Sequence, residues 1–249
     1  MNILDRDPYS DYGREFCSKI PDALGHERES KIVNEILLGN IPDFLRSFVP
    51  IEIKFGDKIL TIQVMPDYLS VGHDTDYVRV PLNPKSAQTI CDAFGCMLPT
   101  RKLVNIIWDA AAVKLAPQNM PPTSRMTTTD WFVKHDALID VSLTKKKAVI
   151  GQLIAGHKKD VVVTKKIEGI KDKVAIYAWH QSDGKPIQGL NAGSHDAGYA
   201  DYSHGIRLVS RFANLDGTEI DLRSLLLDPN MCSTISDVGI LKQPFYITK

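Results

Sequence analysis

The spacing of apolar residues predicts helices in the first part of the chain and one early β-hairpin. Apolar residues recur with helical spacing over 32–37, and Gly39-Asn40 ends the pattern. A second short helix is predicted over 41–48. Residues 51–64 alternate instead with a period of two, in two runs that Gly56-Asp57 separates, which predicts a hairpin with one buried face.

Three further helices carry clear start and stop signals. Asn83-Pro84 combines an N-cap residue with proline in the first turn, and Gly95 is expected to end that helix. Thr100 is expected to cap the next helix. A third helix is predicted over 130–143 behind a Thr129 cap. Its inward-facing residues are expected to be Trp131, Phe132, Leu138 and Val141.

Beyond Lys147 the apolar runs become short and typical of strands. The predicted strands are 148–155, 161–164, 174–179, 206–212 and 218–221. A loop of about 25 residues is expected between the third and fourth of them. Helices before residue 145 and a mostly antiparallel sheet after it predict an α+β fold. We expect one domain over 1–249, with a helical and hairpin part at about 28–145 and a sheet part at about 147–249.

The composition is that of an ordinary globular protein. Hydrophobic residues make up 43% and charged residues 24%, which excludes a disordered tail or a coiled coil. Basic and acidic residues number 30 each, so there is no electrostatic reason to expect a nucleic-acid partner. No apolar run approaches the ~20 residues that span a bilayer, and we therefore expect a soluble protein with no membrane partner.

The N-terminus and the cysteines bear on the compartment. No basic stretch followed by an apolar run is present, so no signal peptide is expected. The protein is therefore predicted to be cytoplasmic, or exported with its signal peptide already removed. The four cysteines lack the spacing of a zinc site and are expected to be reduced and mostly buried, with a disulfide in an exported protein as the alternative. They are Cys17, Cys91, Cys96 and Cys232.

The distribution of histidine gives the first indication of chemistry. Four of the seven histidines lie within 157–204, where even spacing would place about one. They are His157, His180, His195 and His204. The predicted loop before residue 206 also concentrates Asp and Tyr side chains, which is typical of a functional site. Upstream of it, His157 and Asp160 are expected at a sheet edge near His180.

One segment of this region has a resemblance to a known family. The residues of 194–201, Ser-His-Asp-Ala-Gly-Tyr-Ala-Asp, resemble the zinc segment of the D-Ala-D-Ala carboxypeptidase and dipeptidase family. The spacing of the Ser and the spacing of the Asp each differ by one residue from those of the family. In the family a Trp-His dipeptide follows the segment, whereas here Trp179-His180 precedes it. The resemblance implies His195 and Asp201 as zinc ligands and peptidoglycan or a related peptide as substrate.

The residue types also suggest a metal site in their own right. His195, Asp201 and His204 could supply two nitrogens and one oxygen to Zn²⁺ or another divalent cation, with one position left for water. His180 could replace one of them. No nucleotide cofactor is expected.

A metal-free site could use the same region. A Ser203 nucleophile would need His180 or His195 as its base. Tyr202 or Tyr199 could instead form an acid–base pair with His195 or His204, while Arg207 holds a carboxylate, which would suit a polysaccharide lyase.

A second loop keeps a binding function open. Asp74 and Asp76, beside His73, could bind a divalent cation or sugar hydroxyls, although a solvated turn is the favoured interpretation. Tyr68 and Tyr77 could offer an aromatic platform.

The leading prediction is a hydrolase, with or without a bound metal ion. Its expected substrate is a peptide, a cell-wall or glycan-type molecule, or another small molecule. A non-catalytic carbohydrate- or protein-binding domain and a Tyr/His polysaccharide lyase are the alternatives. The oligomeric state is not predicted. The expected catalytic residues are His157, Asp160, His180, Tyr202, Ser203 and Arg207. The expected metal ligands are His195, Asp201 and His204.

Overall fold

Five of the six α-helices in the computed structural model precede residue 147; the structure describes residues 2–20, 25–170 and 172–248. The helices are α1 (Gly13–Lys19), α2 (Gly25–Leu37), α3 (Pro84–Phe94), α4 (Arg101–Ala110), α5 (Thr129–Lys146) and α6 (Leu222–Leu227). The mostly antiparallel strands pack with these helices into an α+β fold, which confirms the predicted class. The predicted helix at 41–48 is a single 3₁₀ turn, Asp43–Arg46.

The capping residues predicted for the helix over 84–94 are confirmed, because each acts on its immediate neighbours. The Asn83 side chain accepts a hydrogen bond from the Ser86 amide, and Gly95 ends α3 in the left-handed conformation. Helix α5 differs from the prediction, because Thr128 is its cap. Leu138 and Val141 are 40% and 52% exposed, so they do not face the core as expected. The buried face of α5 is partly polar, which an apolar-periodicity argument cannot find.

The strands form two main sheets and two short pairs. In chain order they are β1 (Val49–Phe55), β2 (Lys58–Val64), β3 (Ser70–His73), β4 (Asp76–Arg79), β5 (Cys96–Met97), β6 (Val113–Lys114), β7 (Ile154–Ala155), β8 (Lys159–Val161), β9 (Lys173–His180), β10 (Pro186–Asp196), β11 (His204–Gly205), β12 (Val209–Ser210), β13 (Phe212–Leu215) and β14 (Thr218–Asp221).

The larger sheet joins strands that are far apart in the sequence. Its order is β14-β13-β2-β12-β5, with β1 paired to β2 as the predicted hairpin. Ile51 opposes Ile62 in that hairpin, so the buried positions fall on one face. The early hairpin therefore lies in the same sheet as the C-terminal strands.

The second sheet, in the order β10-β9-β8-β11, carries most of the predicted site. The expected 25-residue loop is wrong, because residues 186–196 form strand β10 against β9. Strand β10 is half-exposed along its length and lacks a buried face, so no alternation marks it. The predicted strand at 148–155 shortens to β7, which lies parallel to β6. Strands β8 and β11 are also parallel, with Lys159 opposite His204.

The hydrophobic core draws on nearly the whole chain. One cluster of buried side chains includes residues from Phe16 to Tyr246. Ile32 and Ile36 of α2 and Leu60 and Ile62 of β2 are fully buried in it. All four cysteines are buried free thiols. None of the helices within the described ranges is both long and apolar enough to cross a bilayer.

Candidate functional site

Arg79 lies at the centre of a buried polar network between strand β4 and helix α5. Its Nε and Nη2 donate to Asp67 Oδ2 at 3.0 and 2.8 Å, and its Nη1 donates to Asp136 Oδ1 at 2.7 Å. All three side chains are fully buried. Burial alone would raise the pKa of Asp67, but the charge of Arg79 and the hydrogen bonds from Arg79 and His157 hold it well below its usual range. Asp67 is therefore a carboxylate.

Asp67 also orients His157. Its Oδ1 lies 2.9 Å from His157 Nε2, and the edge of the imidazole packs on the Tyr68 ring at 4.8 Å between centroids. Burial lowers the pKa of His157 to about 4. The ring is therefore neutral at pH 7, and the Nε2 proton points to Asp67. His157 Nδ1 is buried and has no hydrogen-bond partner among the described residues, so it carries a lone pair inside the cluster.

Lys158 places an amine in the same cluster. Its side chain is fully buried, and Nζ donates to the Tyr202 carbonyl oxygen at 2.7 Å. Burial lowers the pKa of Lys158 to about 7; Asp136, Asp201 and Asp67 oppose this effect and Arg79 adds to it. Such an amine can take up or give up a proton near neutrality.

Glycine at position 205 makes room for Lys158. A Cβ at Gly205 would lie 2.6 Å from both the Lys158 Cβ and a Tyr68 ring carbon. Parallel pairing of β8 and β11 sets this close approach. The absence of a side chain at Gly205 thus leaves room for the buried lysine that immediately precedes β8.

His135 on α5 connects the two sides of the cluster. Burial lowers its pKa well below the usual value, and the charge of Lys158 acts on it in the same direction. Its ring also packs on Tyr202 at 4.8 Å. His135 on α5 therefore lies near Lys158 as well as against the Tyr202 ring.

The predicted metal ligands come together next to this cluster. The His195 ring stacks on Tyr199 at 4.5 Å, and both side chains are partly exposed. His204 lies beneath them, fully buried, with ring centroids 6.4 Å from His195 and 5.7 Å from Tyr199. Burial lowers the pKa of His204 to about 4, and across the described part of the chain neither of its ring nitrogens finds a hydrogen-bond partner.

Asp201 is committed to protein donors. Ser203 donates to Asp201 Oδ1 through its amide at 2.8 Å and its hydroxyl at 2.5 Å, and the Tyr199 hydroxyl donates to Oδ2 at 2.9 Å. Within residues 2–20, 25–170 and 172–248, no group of three or more His, Cys, Asp or Glu side chains is arranged to hold a metal ion. The His195, Asp201 and His204 set is therefore assembled in one place but not in a metal-ligand geometry.

Two of the expected catalytic residues, Arg207 and Ser203, take structural positions. Arg207 lies over the Tyr68 ring at 4.2 Å and donates to the carbonyls of Met65 and Ile154. Both of its terminal nitrogens are bound to main-chain carbonyls, which does not support the predicted binding of a substrate carboxylate. Ser203 is fully buried, and its hydroxyl proton goes to Asp201, so its geometry does not support a nucleophile.

Asp160 and His180 have different side-chain partners. Asp160 accepts a hydrogen bond from the Tyr68 hydroxyl at 2.9 Å, and burial raises its pKa to about 7. His180 stacks on Trp108 at 4.9 Å and contacts Asn105, so it belongs to a different environment from His157. Strand β8 lies between β9 and β11, and the sheet edge expected to unite these residues does not exist there.

Tyr202 closes the cluster from outside. Its hydroxyl donates to the Met120 carbonyl and accepts from the Met120 amide, both at 3.1 Å, and its own amide donates to the Met126 carbonyl. Met120 and Met126 belong to the proline-containing segment 116–127, which we call the cover segment. Phe132 and Trp179 complete the apolar layer under it.

The loop around Asp74 uses its carboxylates internally. Asp74 accepts from the Phe44 amide, and Asp76 pairs with Arg14 at 2.7 Å. These contacts fit the favoured interpretation of a turn.

Sequence reasoning missed Asp67, Arg79 and Asp136. Arg79 lies in 77–80, which the sequence indicates only as another short strand, and Asp136 lies in the helix predicted over 130–143. One signal was available, because Arg79 stands between Val78 and Val80 in a strand, where an arginine needs a buried partner.

Comparison of the chain with protein-family models, with curated proteins and with solved structures finds no match. The resemblance of residues 194–201 to the zinc carboxypeptidase family stays a prediction.

Proposed function

We propose that the protein is a hydrolase in which His157 acts as the general base and Lys158 as the general acid. The observation that carries the proposal is the Asp67–His157 pair, which leaves His157 Nδ1 unpartnered inside the cluster that also holds the Lys158 amine. Asp67 would fix the tautomer and stabilise the imidazolium as it forms.

The proton positions fit a hydrolytic step. His157 Nδ1 takes a proton from water while the water oxygen attacks the substrate, and the Lys158 ammonium gives a proton to the leaving group. The pKa of His157, about 4, and that of Lys158, about 7, are separated so that base and acid coexist between these values. His157 and Lys158 are fully buried. Substrate would reach them when the cover segment, which hydrogen-bonds the Tyr202 hydroxyl, moves aside.

Two observations weigh on the alternatives. Burial and the nearby Asp201 raise the pKa of Tyr199 above its ordinary value, which disfavours the phenolate that a lyase base would need. The unpartnered ring nitrogens of His204, beside His195, are what supports a metal-dependent form of the hydrolase.

A substrate panel tests the proposal. The purified protein is assayed on p-nitrophenyl esters and glycosides, on peptide p-nitroanilides and on peptidoglycan. His157→Gln and Lys158→Met are expected to lower any activity by about 10²–10⁴-fold. His26→Gln, a change at an exposed histidine, is the matched control and should leave it unchanged.

Two results would contradict the proposal. One is hydrolysis that survives both substitutions; the other is a folded protein inactive on the whole panel. Metal analysis of protein purified without chelator separates the two forms of the hydrolase. Stoichiometric zinc that is lost in His195→Ala and Asp201→Ala would establish the metal-dependent form.

A further inference from the structure

Helix α5 ends in a run of three lysines that are exposed to solvent. Lys145 and Lys146 belong to its last turn, and Lys147 follows in the left-handed conformation with a φ angle of 53°. The lysine ion pairs among the described residues involve other lysines. The run therefore carries uncompensated positive charge. We call residues 145–150 the basic turn.

The outer face of α5 leads into the basic turn. Leu138 and Val141 are 40% and 52% exposed and lie three residues apart, and Lys145 follows four residues later on the same side of the helix. The exposed positions of α5 after residue 136 are Ala137, Leu138, Val141, Thr144, Lys145 and Lys146. None of these side chains is acidic. The face is therefore largely apolar, and its C-terminal end is basic.

The basic turn also presents two aliphatic side chains to water. Val149 and Ile150 are 62% and 52% exposed. The backbone fixes this exposure, because the Gln152 amide donates to the Val149 carbonyl at 3.2 Å and the Val149 amide donates to Gln152 Oε1 at 2.8 Å. Gly151 supplies the positive φ angle, 84°, that the turn requires. Two large apolar side chains are thus held in solvent directly after the three lysines.

The acidic groups nearest to Ile150 are mostly paired. Asp74, Asp76 and Asp140 line a depression that Ile150 also borders. Arg14 pairs with Asp76 at 2.7 Å and with Asp140 at 2.9 Å. When Arg14 and the three lysines are counted together, the basic groups of this region outnumber its carboxylates.

The residue types favour a lipid surface over a protein partner. Protein interfaces concentrate their binding energy in Trp, Tyr and Arg, and lysine is depleted there. The exposed side chains here are Leu, Val, Ile and Lys. Aliphatic side chains that enter the interfacial layer, beside lysines that attract anionic headgroups, are typical of proteins that bind a bilayer from one side.

We propose that the basic turn and the outer face of α5 bind the surface of an anionic lipid bilayer. Val149 and Ile150 enter the interfacial layer, and the three lysines contact the headgroups. A contact of this kind needs no membrane-spanning segment, so it differs from the sequence-based expectation of no membrane partner. Neither His157 nor Lys158 belongs to this surface, and the proposal therefore goes beyond the proposed hydrolase.

Co-sedimentation with lipid vesicles tests the charge. The vesicles contain phosphatidylcholine alone or with about 30% phosphatidylserine, at about 0.1 M salt. The wild type should sediment only with the anionic vesicles, and less as salt rises. A triple variant, Lys145→Gln with Lys146→Gln and Lys147→Gln, should bind at least about tenfold more weakly, because each lysine contributes about fivefold. Lys165→Gln with Lys166→Gln, at exposed lysines elsewhere, is the matched control and should bind as the wild type does.

A second pair of measurements tests the insertion of the turn. Val149→Ser with Ile150→Ser should weaken vesicle binding by about tenfold without loss of stability, because both side chains are already exposed in the folded protein. Leu227→Ser, at a leucine that is 48% exposed on α6, is its matched control. An environment-sensitive fluorophore on Ile150→Cys should shift to shorter wavelength with anionic vesicles, whereas the same label on Leu227→Cys should not. The four native thiols are buried, so the label reports the introduced position.

Four results would overturn the proposal. The first is a wild type that does not sediment with anionic vesicles, and the second is a triple lysine variant that sediments as well as the wild type. The third is binding that survives Val149→Ser with Ile150→Ser and leaves the fluorophore unshifted. The fourth is lysine-dependent binding of poly-glutamate without vesicle binding, which would assign the surface to an acidic protein instead.

Discussion

Replacement of Arg79 by methionine tests the buried network most directly. Arg79→Met keeps much of the side-chain volume and removes the only guanidinium that hydrogen-bonds both Asp67 and Asp136 within the described residues. Both carboxylates are fully buried, so neither can recover hydration. The variant therefore leaves two buried negative charges without their main partner.

The expected loss of stability is about 3–5 kcal/mol at pH 7, the range for breaking a buried ion pair from one side. Asp67 would retain the Tyr68 amide at 2.7 Å and His157, and Asp136 would retain the Arg79 amide at 3.1 Å. Protonation of an aspartate limits this loss of stability. Neutralising an aspartate of ordinary pKa costs about 1.4 kcal/mol for each unit by which the pH exceeds that pKa. The loss should therefore be smaller at pH 5 than at pH 7.

Urea unfolding followed by tryptophan fluorescence measures this difference. Arg101→Met is the matched control, since Arg101 pairs with Asp237 at 2.7 Å near the surface and its removal should cost about 0–1 kcal/mol. Adding Asp136→Asn to Arg79→Met should restore part of the stability by removing one uncompensated charge. The reasoning fails if Arg79→Met loses less than about 1 kcal/mol, or loses the same amount at pH 5 and pH 7.

Three further outcomes are expected. Hydrolysis should rise with pH through about 4, as His157 becomes neutral, and fall through about 7, as Lys158 loses its proton; a single-limbed profile would contradict the pairing of roles. Gly205→Ala should destabilise the protein by about 1–3 kcal/mol in urea unfolding, whereas Gly198→Ala, where a Cβ meets nothing within 4 Å, should be nearly neutral. Because the pKa of Asp160 is raised to about 7 in the folded protein, the wild type should lose stability as the pH rises from about 4 to about 7. The stability of Asp160→Asn should therefore increase relative to that of the wild type over this range, and an equal stability difference at about pH 4 and about pH 7 would refute the reasoning.

The sequence predicted best those features that depend on neighbouring residues. Asn83 and Gly95 bound α3 because a cap and a left-handed glycine act within one helical turn. The hairpin at 51–64 was found because one buried face imposes alternation. Strand β10 was missed since it is half-exposed and has no such alternation.

The candidate site was only partly predictable for the same reason. Histidine clustering pointed to His157 and His204, which do lie in one region of the fold. Asp67 and Asp136 were missed, because their importance comes from Arg79, which they meet only after the chain has folded. The side chains of His157 and His180 have different partners, Asp67 for His157 and Trp108 for His180.

The parallel pairing of β8 with β11 has a consequence for the order of folding. Lys159 meets His204 only after the chain has closed a loop of about 45 residues, which costs entropy before any contact is gained. The antiparallel hairpin of β9 and β10 lies within that loop and forms from closer contacts, which shortens the distance left to close. The amine of Lys158 and the ring of His204 should therefore be among the last groups to reach their native surroundings. A slow step in refolding should be most evident at these two residues.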